Sequence, residues 1–275
     1  MTSSLTFLGA GRMAQALISG FLNARLVPAE KITLSSKSGI SAQALAEQYG
    51  LRAALNNQEA IMASPVIFLC TKPAQALELL ATHASLLNNK LIISVAAGIA
   101  SEDLFNAAGA HARIIRTMPN IAVRIRKGVT TITPHHSATE EDLLFAKKLF
   151  TSVGTIYDVK ENQINAATAV SGSGPAFALL FLEALLQGGA EKGLDPSTAR
   201  ALSAHALASA AALILETKDS PAMLRAEIAS PKGTTEAGLT ILQEHGLSAI
   251  VISAVHAATK RAEELSSQFF QGRLR

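Results

Sequence analysis

Cysteine is nearly absent from this chain, with Cys70 the only one in 275 residues. A single thiol excludes an intramolecular disulfide framework and a cysteine-based zinc site. Because the first strand-like run begins almost at residue 1, we expect no signal peptide. These features together predict a protein of the reducing cytoplasm.

Charged residues are also scarce, at 16% of the chain against 49% hydrophobic residues. The net charge of +3 is scattered, which slightly favours anionic ligands and predicts no nucleic-acid partner. We see no uninterrupted apolar run of about 18 residues and therefore expect no membrane span. Ala201–Leu215 comes nearest, and its small residues are typical of a buried, closely packed helix. Tryptophan is absent, so any subunit interface should be aliphatic.

Strand-like and helix-like segments alternate through the first half of the chain. Short apolar runs predict strands at Leu5–Gly9, Lys31–Ser35, Leu51–Leu55, Pro65–Cys70, Leu91–Val95, Arg113–Met118, Val129–Thr133 and Thr155–Val159. Helical patterns separate several of them, at Gly11–Ala24, Ser41–Tyr49, Ala74–Leu87 and Ser137–Phe150. This alternation predicts an α/β Rossmann domain with a doubly wound, mainly parallel sheet over residues 1–159.

Strand signals stop near residue 160, and the rest of the chain is helical in pattern. The predicted helices are Asn162–Val170, Ala176–Lys192, Pro196–Leu215, Ser220–Ile228, Thr234–Glu244 and Leu247–Gln268. Several are apolar on more than one face, which favours burial of one face on a second subunit. Residues 160–275 are therefore predicted to form an all-α dimerisation and substrate domain.

A glycine motif lies between the first predicted strand and the first predicted helix. The spacing Gly9-x-Gly11-x-x-Ala14 fits the dinucleotide fingerprint. Gly9 permits the tight turn, Gly11 lets a pyrophosphate approach the backbone, and Ala14 lets the helix pack closely. The free N–H groups at the helix start attract phosphates. A purely structural turn is the alternative, and the strand–turn–helix context favours dinucleotide binding.

The end of the second predicted strand selects between NAD and NADP. An acidic residue there binds the ribose hydroxyls of NAD, but this chain has Ser35-Ser36-Lys37-Ser38. Hydroxyls and an ammonium suit a 2′-phosphate, so the sequence favours NADPH, with NADH and a plain polar loop as alternatives. Two further loops, Cys70–Pro73 and Val95–Gly98, follow buried strands, where ligands bind in such sheets. Lys72 is either an acid or phosphate contact or a solvated lysine, and Cys70 is interpreted as a small apolar residue.

Two stretches in the helical half contain glycine and hydroxyl residues. Ser230–Leu239 starts with a turn and opens a helix at Thr234-Thr235-Glu236, which is either an ordinary N-cap or a site for a carboxylate. Ser171–Pro175 is predicted to be a turn, either closely packed between helices or facing a ligand.

Over essentially its whole length the chain resembles the pyrroline-5-carboxylate reductases. The resemblance rests on Gly9-Ala10-Gly11-Arg12-Met13, Thr71-Lys72-Pro73, Ala96-Ala97-Gly98, Arg116-Thr117-Met118-Pro119-Asn120, Ser171-Gly172-Ser173-Gly174-Pro175-Ala176 and Ser230-Pro231-x-Gly233-Thr234-Thr235. It implies reduction of L-1-pyrroline-5-carboxylate to L-proline with NADPH or NADH, the last step of proline synthesis. It also implies an interlocked homodimer, often assembled into decamers, whose active site is shared with the partner.

The resemblance also assigns roles to residues. The implied cofactor contacts are Leu8, Gly9, Ala10, Gly11, Arg12 and Met13 at the pyrophosphate, Ser36 and Lys37 at the 2′-phosphate, Asn57 at the adenosine, and Cys70, Thr71, Lys72, Pro73, Val95, Ala96 and Ala97 at the nicotinamide. The implied substrate contacts are Glu161, Gly233, Thr234 and Thr235, with Thr235 as the catalytic hydroxyl that meets the ring nitrogen. A protonated cyclic imine accepts hydride readily, so positioning is the main task of the enzyme.

Three positions depart from the family pattern. Lys232 stands where glycine is usual, Ala122 where proline is common, and Glu227 where the residue is often neutral. If position 232 has a positive φ, a lysine there is strained; alternatively, the loop is shifted and the ammonium lies near an anion. These departures bear on cofactor preference and rate, and they leave the predicted fold unchanged.

Two other functions are open to a chain of this pattern. One is a different oxidoreductase of the same architecture, such as a β-hydroxyacid dehydrogenase, although no Gly-x-x-Lys run lies near Ser171–Pro175. The other is a dinucleotide-sensing protein that binds NADPH without turnover. The seven histidines show no His-x-x-x-His spacing, so we expect no metal, and His135-His136 is interpreted as a solvated loop.

Overall fold

The structure is a computed structural model that describes the backbone of residues 3–271 and the side chains as far as Ser266. The chain divides into two compact units. Unit 1 holds the residues as far as Gly172 together with those from Ala258 onward, and unit 2 is Ser173–Ala257. The functional boundary proposed at residues 159 and 160 stays a prediction.

Unit 1 is built on an eight-stranded sheet. The strands are β1 (Leu5–Leu8), β2 (Ile32–Ser35), β3 (Arg52–Ala53), β4 (Val66–Leu69), β5 (Leu91–Ser94), β6 (Arg113–Pro119), β7 (Gly128–Pro134) and β8 (Gly154–Asp158). Their order is β3-β2-β1-β4-β5-β6-β7-β8, and β6 with β7 is the antiparallel pair. The predicted doubly wound, mainly parallel sheet is confirmed. Its strand order reverses between β1 and β4, which is where ligands bind in open sheets of this kind.

Seven helices belong to unit 1 before the chain enters unit 2. They are α1 (Arg12–Asn23), α2 (Ile40–Tyr49), α3 (Asn57–Met62), α4 (Pro73–Thr82), α5 (Ser101–Ala108), α6 (Glu140–Thr151) and α7 (Ile164–Ala167). The sequence analysis missed α3 and α5, because both are too short for a clear period. Helix α3 begins because the Asn56 side chain accepts a hydrogen bond from the Glu59 N–H at 2.8 Å.

Strands β1, β2, β4 and β5 are buried on both sides, as a parallel sheet covered by helices requires. One side carries a cluster of phenylalanines, in which Phe7 and Phe68 stack at 4.7 Å. Phe21 packs at a tilt and Phe150 edgewise onto Phe68. The other side is aliphatic, with Ile67, Leu69 and Ile92 in one cluster with residues of α4 and α5. This core fixes the carboxyl ends of the strands, where the cofactor loops begin.

Unit 2 is entirely helical in its regular structure. Its helices are α8 (Gly174–Glu191), α9 (Pro196–Glu216), α10 (Pro221–Ile228), α11 (Thr234–Glu244) and the first part of α12 (Leu247–Gln271). The all-α half of the prediction is confirmed. The turn predicted at Ser171–Pro175 is wrong, because a π-helical turn at Thr168–Ser173 runs directly into α8.

The helices of unit 2 expose much apolar surface. Helix α8 has 18 residues and none of them is buried. The segments Glu161–Glu191 and Pro196–Glu216 are long and apolar enough to cross a membrane, with a third span if the bent pair Thr234–Glu244 and Leu247–Ser266 is counted as one. Length and composition therefore do not exclude membrane spans, contrary to the expectation from the sequence. Apolar faces of this extent are also what a subunit interface requires.

Candidate active site

The first glycine of the motif lies at a point of close backbone packing. Gly9 follows β1 with a φ of +102°, a backbone conformation that residues other than glycine rarely adopt. A Cβ at this position would lie 2.7 Å from both the carbonyl carbon and the oxygen of Cys70. The Gly9 N–H donates to the Ser35 carbonyl at 2.9 Å. Glycine is therefore required here to bring the loops after β1, β2 and β4 together.

The second glycine has a different role. Gly11 is the N-cap of α1 with a φ of −86°, and no atom lies within 4 Å of a Cβ built on it. Its side-chain space is open, and it offers no side-chain acceptor to the N–H groups of the first turn. Ala14, in the first turn of α1, is fully buried. An open backbone at a helix start fits the pyrophosphate of a dinucleotide.

The loop after β2 forms the polar end of the same region. The Ser35 hydroxyl donates to Asn57 Oδ1 at 2.7 Å, and the Ser36 hydroxyl accepts from the Ala42 N–H at 3.2 Å. Lys37 is exposed beside them, and residues 36–41 contain no carboxylate. This donor set fits a 2′-phosphate and lacks the acidic residue that binds an unphosphorylated ribose.

These loops line one cleft of about 600 Å³ in unit 1. Nine of the predicted cofactor residues line it: Gly9, Ala10, Gly11, Ser36, Lys37, Asn57, Cys70, Thr71 and Lys72. The sequence analysis missed eight others: Ser41, Leu55, Asn56, Gln75, Glu78, Leu79, Thr82 and His83. Half of the missed residues lie on α4, and His83 follows it directly. Pro73, which opens that helix after the Cys70–Lys72 loop, is the sequence signal for it.

Seven predicted cofactor residues lie outside this lining: Leu8, Arg12, Met13, Pro73, Val95, Ala96 and Ala97. Leu8 is fully buried in the sheet, and Ala96 is 5% exposed. Arg12 lines a neighbouring hollow together with Gln15 and Arg124. The assignment of these seven residues to the cofactor stays a prediction.

Two side chains after β4 differ in what they can do. The Thr71 hydroxyl is buried with no hydrogen-bond partner among the described residues, so this loop of the cleft contains one unsatisfied polar group. Burial raises the pKa of the Cys70 thiol, which keeps it neutral. A neutral thiol is a poor nucleophile, so Cys70 acts as a small apolar residue.

Glu161 is anchored where β5 and β6 end. Its Oε1 accepts from Arg116 Nη1 at 2.5 Å and from the Ser101 N–H, at the start of α5, at 3.1 Å. Arg116 is level with Ser94, the last residue of β5, and is 6% exposed. Glu161 Oε2 is buried with no partner among the described residues. The carboxylate is therefore fixed through one oxygen, and the other oxygen has a hydrogen-bonding capacity that no described residue uses.

The remaining predicted substrate residues open α11 in unit 2. Gly233 is its N-cap and provides no side-chain acceptor, so the first-turn N–H groups of Thr234 and Thr235 are available to an anion. A Cβ at Gly233 would lie 2.5 Å from the Ser230 hydroxyl oxygen. Lys232 has a φ of +60°, so the condition for a strained lysine is met, and its N–H donates to Glu236 Oε2 at 2.6 Å.

A doubly wound sheet with an open glycine loop at its switch point, joined to a helical unit, defines a dinucleotide-dependent oxidoreductase. Residues 161–265 match the family model described as pyrroline-5-carboxylate reductase dimerisation, and residues 4–98 match NADP oxidoreductase coenzyme F420-dependent. The pyrroline-5-carboxylate reductase of Synechocystis sp. is 35% identical over 98% of this chain and 100% of that protein. The chain belongs to the pyrroline-5-carboxylate reductase family, whose members are NAD(P)H-dependent enzymes.

Solved structures agree with this assignment. The pyrroline carboxylate reductase of Plasmodium falciparum, crystallised with NADP bound, has a TM-score of 0.89 and 26% identity over 96% of this chain and 98% of that chain. The pyrroline-5-carboxylate reductase of Coxiella burnetii has a TM-score of 0.85 and 31% identity over 97% and 99% of the two chains. The dimerisation match indicates a homo-oligomer.

Proposed function

We propose that this protein reduces L-1-pyrroline-5-carboxylate to L-proline with NADPH, the last step of proline biosynthesis. The observation that carries the proposal is the open cleft around Gly11, in a chain that belongs to this family over its whole length. Residues 1–159 hold the cofactor, and residues 160–275 supply substrate contacts and the subunit interface.

The cleft favours NADPH over NADH. Ser36 and Lys37 lie at one end of it, Gly11 has open space for the pyrophosphate, and the unpartnered Thr71 hydroxyl lies at the nicotinamide end implied by the family. Lys37 carries a charge that pairs with a 2′-phosphate and has no counterpart on the ribose of NADH. We therefore expect NADPH to bind more tightly, with NADH as a weaker alternative.

When bound, NADPH supplies the hydride. The N–H groups at the start of α11 hold the substrate carboxylate, since a helix N-terminus stabilises an anion. The Thr235 hydroxyl, half-buried in that turn, accepts a hydrogen bond from the protonated ring nitrogen. The iminium carbon gains the hydride, its C=N bond becomes C–N, and the proton stays on nitrogen. No side chain has to deliver a proton if the imine arrives protonated.

The exposed apolar helices support an assembly. Helices α8 and α9 expose Leu179, Leu180, Leu202 and Leu215 at 56–74% of their surfaces. We propose that a second copy of the chain covers them in a homodimer in the cytoplasm, and that dimers assemble into a decamer. Light scattering of the purified protein in detergent-free buffer measures the mass of the assembly. A monomer would contradict the proposed dimer, and a dimer alone would contradict the proposed decamer.

The activity is tested with purified full-length protein, NADPH and pyrroline-5-carboxylate. We expect loss of nicotinamide absorbance only when the substrate is added, with proline formed in equal amount. Binding of NADPH without substrate-dependent turnover would indicate the dinucleotide sensor instead. Turnover of β-hydroxyacids with NADP and none of pyrroline-5-carboxylate would indicate the alternative dehydrogenase.

A further inference from the structure

A second cluster of chemically reactive side chains lies on unit 1, outside the lining of the cofactor cleft. Glu102, His135 and His136 each present a donor atom, and these atoms lie within 4.8 Å of one another. We propose that these three residues bind a divalent first-row transition-metal ion such as Zn²⁺. This proposal concerns a site that the reductase reaction does not use.

His135 has the surroundings of a metal-binding histidine. It is 6% exposed, which corrects the interpretation of His135-His136 as a solvated loop, although His136 is exposed. Its Nε2 lies 3.1 Å from Glu102 Oε2, and its Nδ1 lies 2.9 Å from the Ser137 hydroxyl oxygen. A coordinating imidazole gives the N–H of its other nitrogen to such a partner, which fixes the ring. Nδ1 accepts a hydrogen bond from the Ser137 N–H at 3.2 Å, so in the metal-free structure the ring proton lies on Nε2, toward Glu102. Metal binding at Nε2 would move this proton to Nδ1, where it donates to the Ser137 hydroxyl oxygen.

The site is held by packing as well as by hydrogen bonds. The ring of Phe105 lies 4.6 Å from that of His135 and 5.5 Å from that of His136, measured between centroids. The two imidazole rings are 3.9 Å apart. Glu102 and Phe105 are three residues apart on α5, and the Ser137 hydroxyl accepts from the Ile114 N–H at 3.2 Å. The ligands need little rearrangement to meet one ion.

The donor set selects the class of metal. Two imidazoles and one carboxylate suit Zn²⁺, Co²⁺ or Ni²⁺, whereas Ca²⁺ and Mg²⁺ prefer oxygen ligands alone. Without metal, the proton on His135 Nε2 donates to Glu102 Oε2. The ion would take the place of that shared proton. Glu102 and His136 are exposed, so water can complete the coordination shell.

The test uses full-length protein without a histidine tag, stripped with a chelator and titrated with Co²⁺. Co²⁺ coordinated by nitrogen and oxygen shows visible d–d bands that report its ligands. We expect saturation at one ion per chain and release on addition of Zn²⁺. We expect His136→Gln and Glu102→Gln each to weaken Co²⁺ binding by at least about tenfold, since each removes a direct ligand. His111→Gln, at an exposed histidine outside the cluster, is the matched control and should bind Co²⁺ as the wild type does.

Both substituted side chains are exposed, so the variants should fold, and equal melting temperatures in the presence of chelator verify this. A Co²⁺ titration of the wild type that produces no visible bands would overturn the proposal. Bands of equal strength and affinity in His136→Gln and Glu102→Gln would also overturn it, because the ion would then be bound elsewhere. Neither outcome depends on reductase activity.

Discussion

Glu161 binds Arg116 through one carboxylate oxygen at 2.5 Å and buries the other oxygen without a partner among the described residues. The Arg116 side chain is 7% exposed and that of Glu161 37% exposed, so the guanidinium depends on Glu161 for its charge partner. The same carboxylate oxygen accepts from the start of α5. Glu161 thus links β6 to the start of α5.

We expect Glu161→Gln to lower the free energy of unfolding by about 1–3 kcal/mol, because Arg116 stays buried with a weaker partner. We also expect a higher KM for pyrroline-5-carboxylate, since the free oxygen would lose its charge. Urea unfolding and steady-state kinetics measure the two effects. Glu263→Gln, at an exposed site in the same unit, is the control and should change neither value. A fully stable Glu161→Gln enzyme would contradict the structural role.

Substitution of the two glycines of the motif should have different effects, one on stability and the other on cofactor binding. Gly9→Ala places a Cβ 2.7 Å from the Cys70 backbone at a φ of +102°, so we expect a loss of more than about 2 kcal/mol of stability. Gly11→Ala meets open space, so its stability should stay within about 0.5 kcal/mol of the wild type.

The same Gly11→Ala change should raise the Kd of NADPH by about tenfold or more, because its methyl group enters the space that the pyrophosphate needs. Unfolding curves and fluorescence titration with NADPH distinguish the two glycines. Normal NADPH binding by Gly11→Ala would show that the pyrophosphate lies elsewhere.

Lys37 should decide much of the preference between cofactors. We expect Lys37→Ala to raise the Kd of NADPH by about fivefold while that of NADH is unchanged, since only NADPH carries the extra phosphate. The difference should shrink at high ionic strength, because the ammonium is exposed to solvent. Lys127→Ala removes the same charge from another exposed position and should affect neither Kd. An equal rise in the Kd of both cofactors would show that Lys37 does not contact the 2′-phosphate.

Lys232 offers a test of backbone strain. Its φ of +60° costs a non-glycine residue about 1–2 kcal/mol, and glycine avoids this cost. Lys232→Gly and Lys232→Ala remove the same side-chain charge, so their difference isolates the backbone. We expect the glycine variant to be about 1 kcal/mol more stable than the alanine variant in urea unfolding. Equal stability would mean that the loop adjusts to remove the positive φ.

Much of unit 1 was predictable because its signals are local. Gly9-x-Gly11-x-x-Ala14 needs one strand, one turn and one helix, and all three are present with Gly9 at a positive φ. The buried run of β4 and the helix after Pro73 were equally clear. The carboxylate-free loop at Ser36–Lys37 lies at the cleft because β2 ends beside β1, as the fold requires.

The features that the sequence did not reveal depend on contacts between residues that are far apart in sequence. Glu102 and His135 are 33 residues apart and meet only because α5 lies beside the end of β7, so a search for histidine spacing could not find them. His135 is buried by contact with Phe105, a residue of a helix that was itself too short to predict. At Ser171–Pro175, glycine and serine indicated a turn, but the π-helical turn satisfies their backbone groups, with the Ser171 hydroxyl donating to the Ala167 carbonyl at 2.8 Å.

Thr235 carries the most direct test of the proposed reaction. Its hydroxyl lies in the first turn of α11, beside N–H groups that can hold a carboxylate. We expect Thr235→Ala to lower kcat/KM for pyrroline-5-carboxylate by about tenfold to a hundredfold, the effect of one lost hydrogen bond to a charged group. NADPH affinity should hold, because the cofactor cleft lies in unit 1. Thr240→Ala, on the same helix with its hydroxyl bonded to the Glu236 carbonyl, should keep full activity. If Thr235→Ala instead weakened NADPH binding as much as it lowered turnover, the hydroxyl would belong to the cofactor site, and another group would have to contact the ring nitrogen.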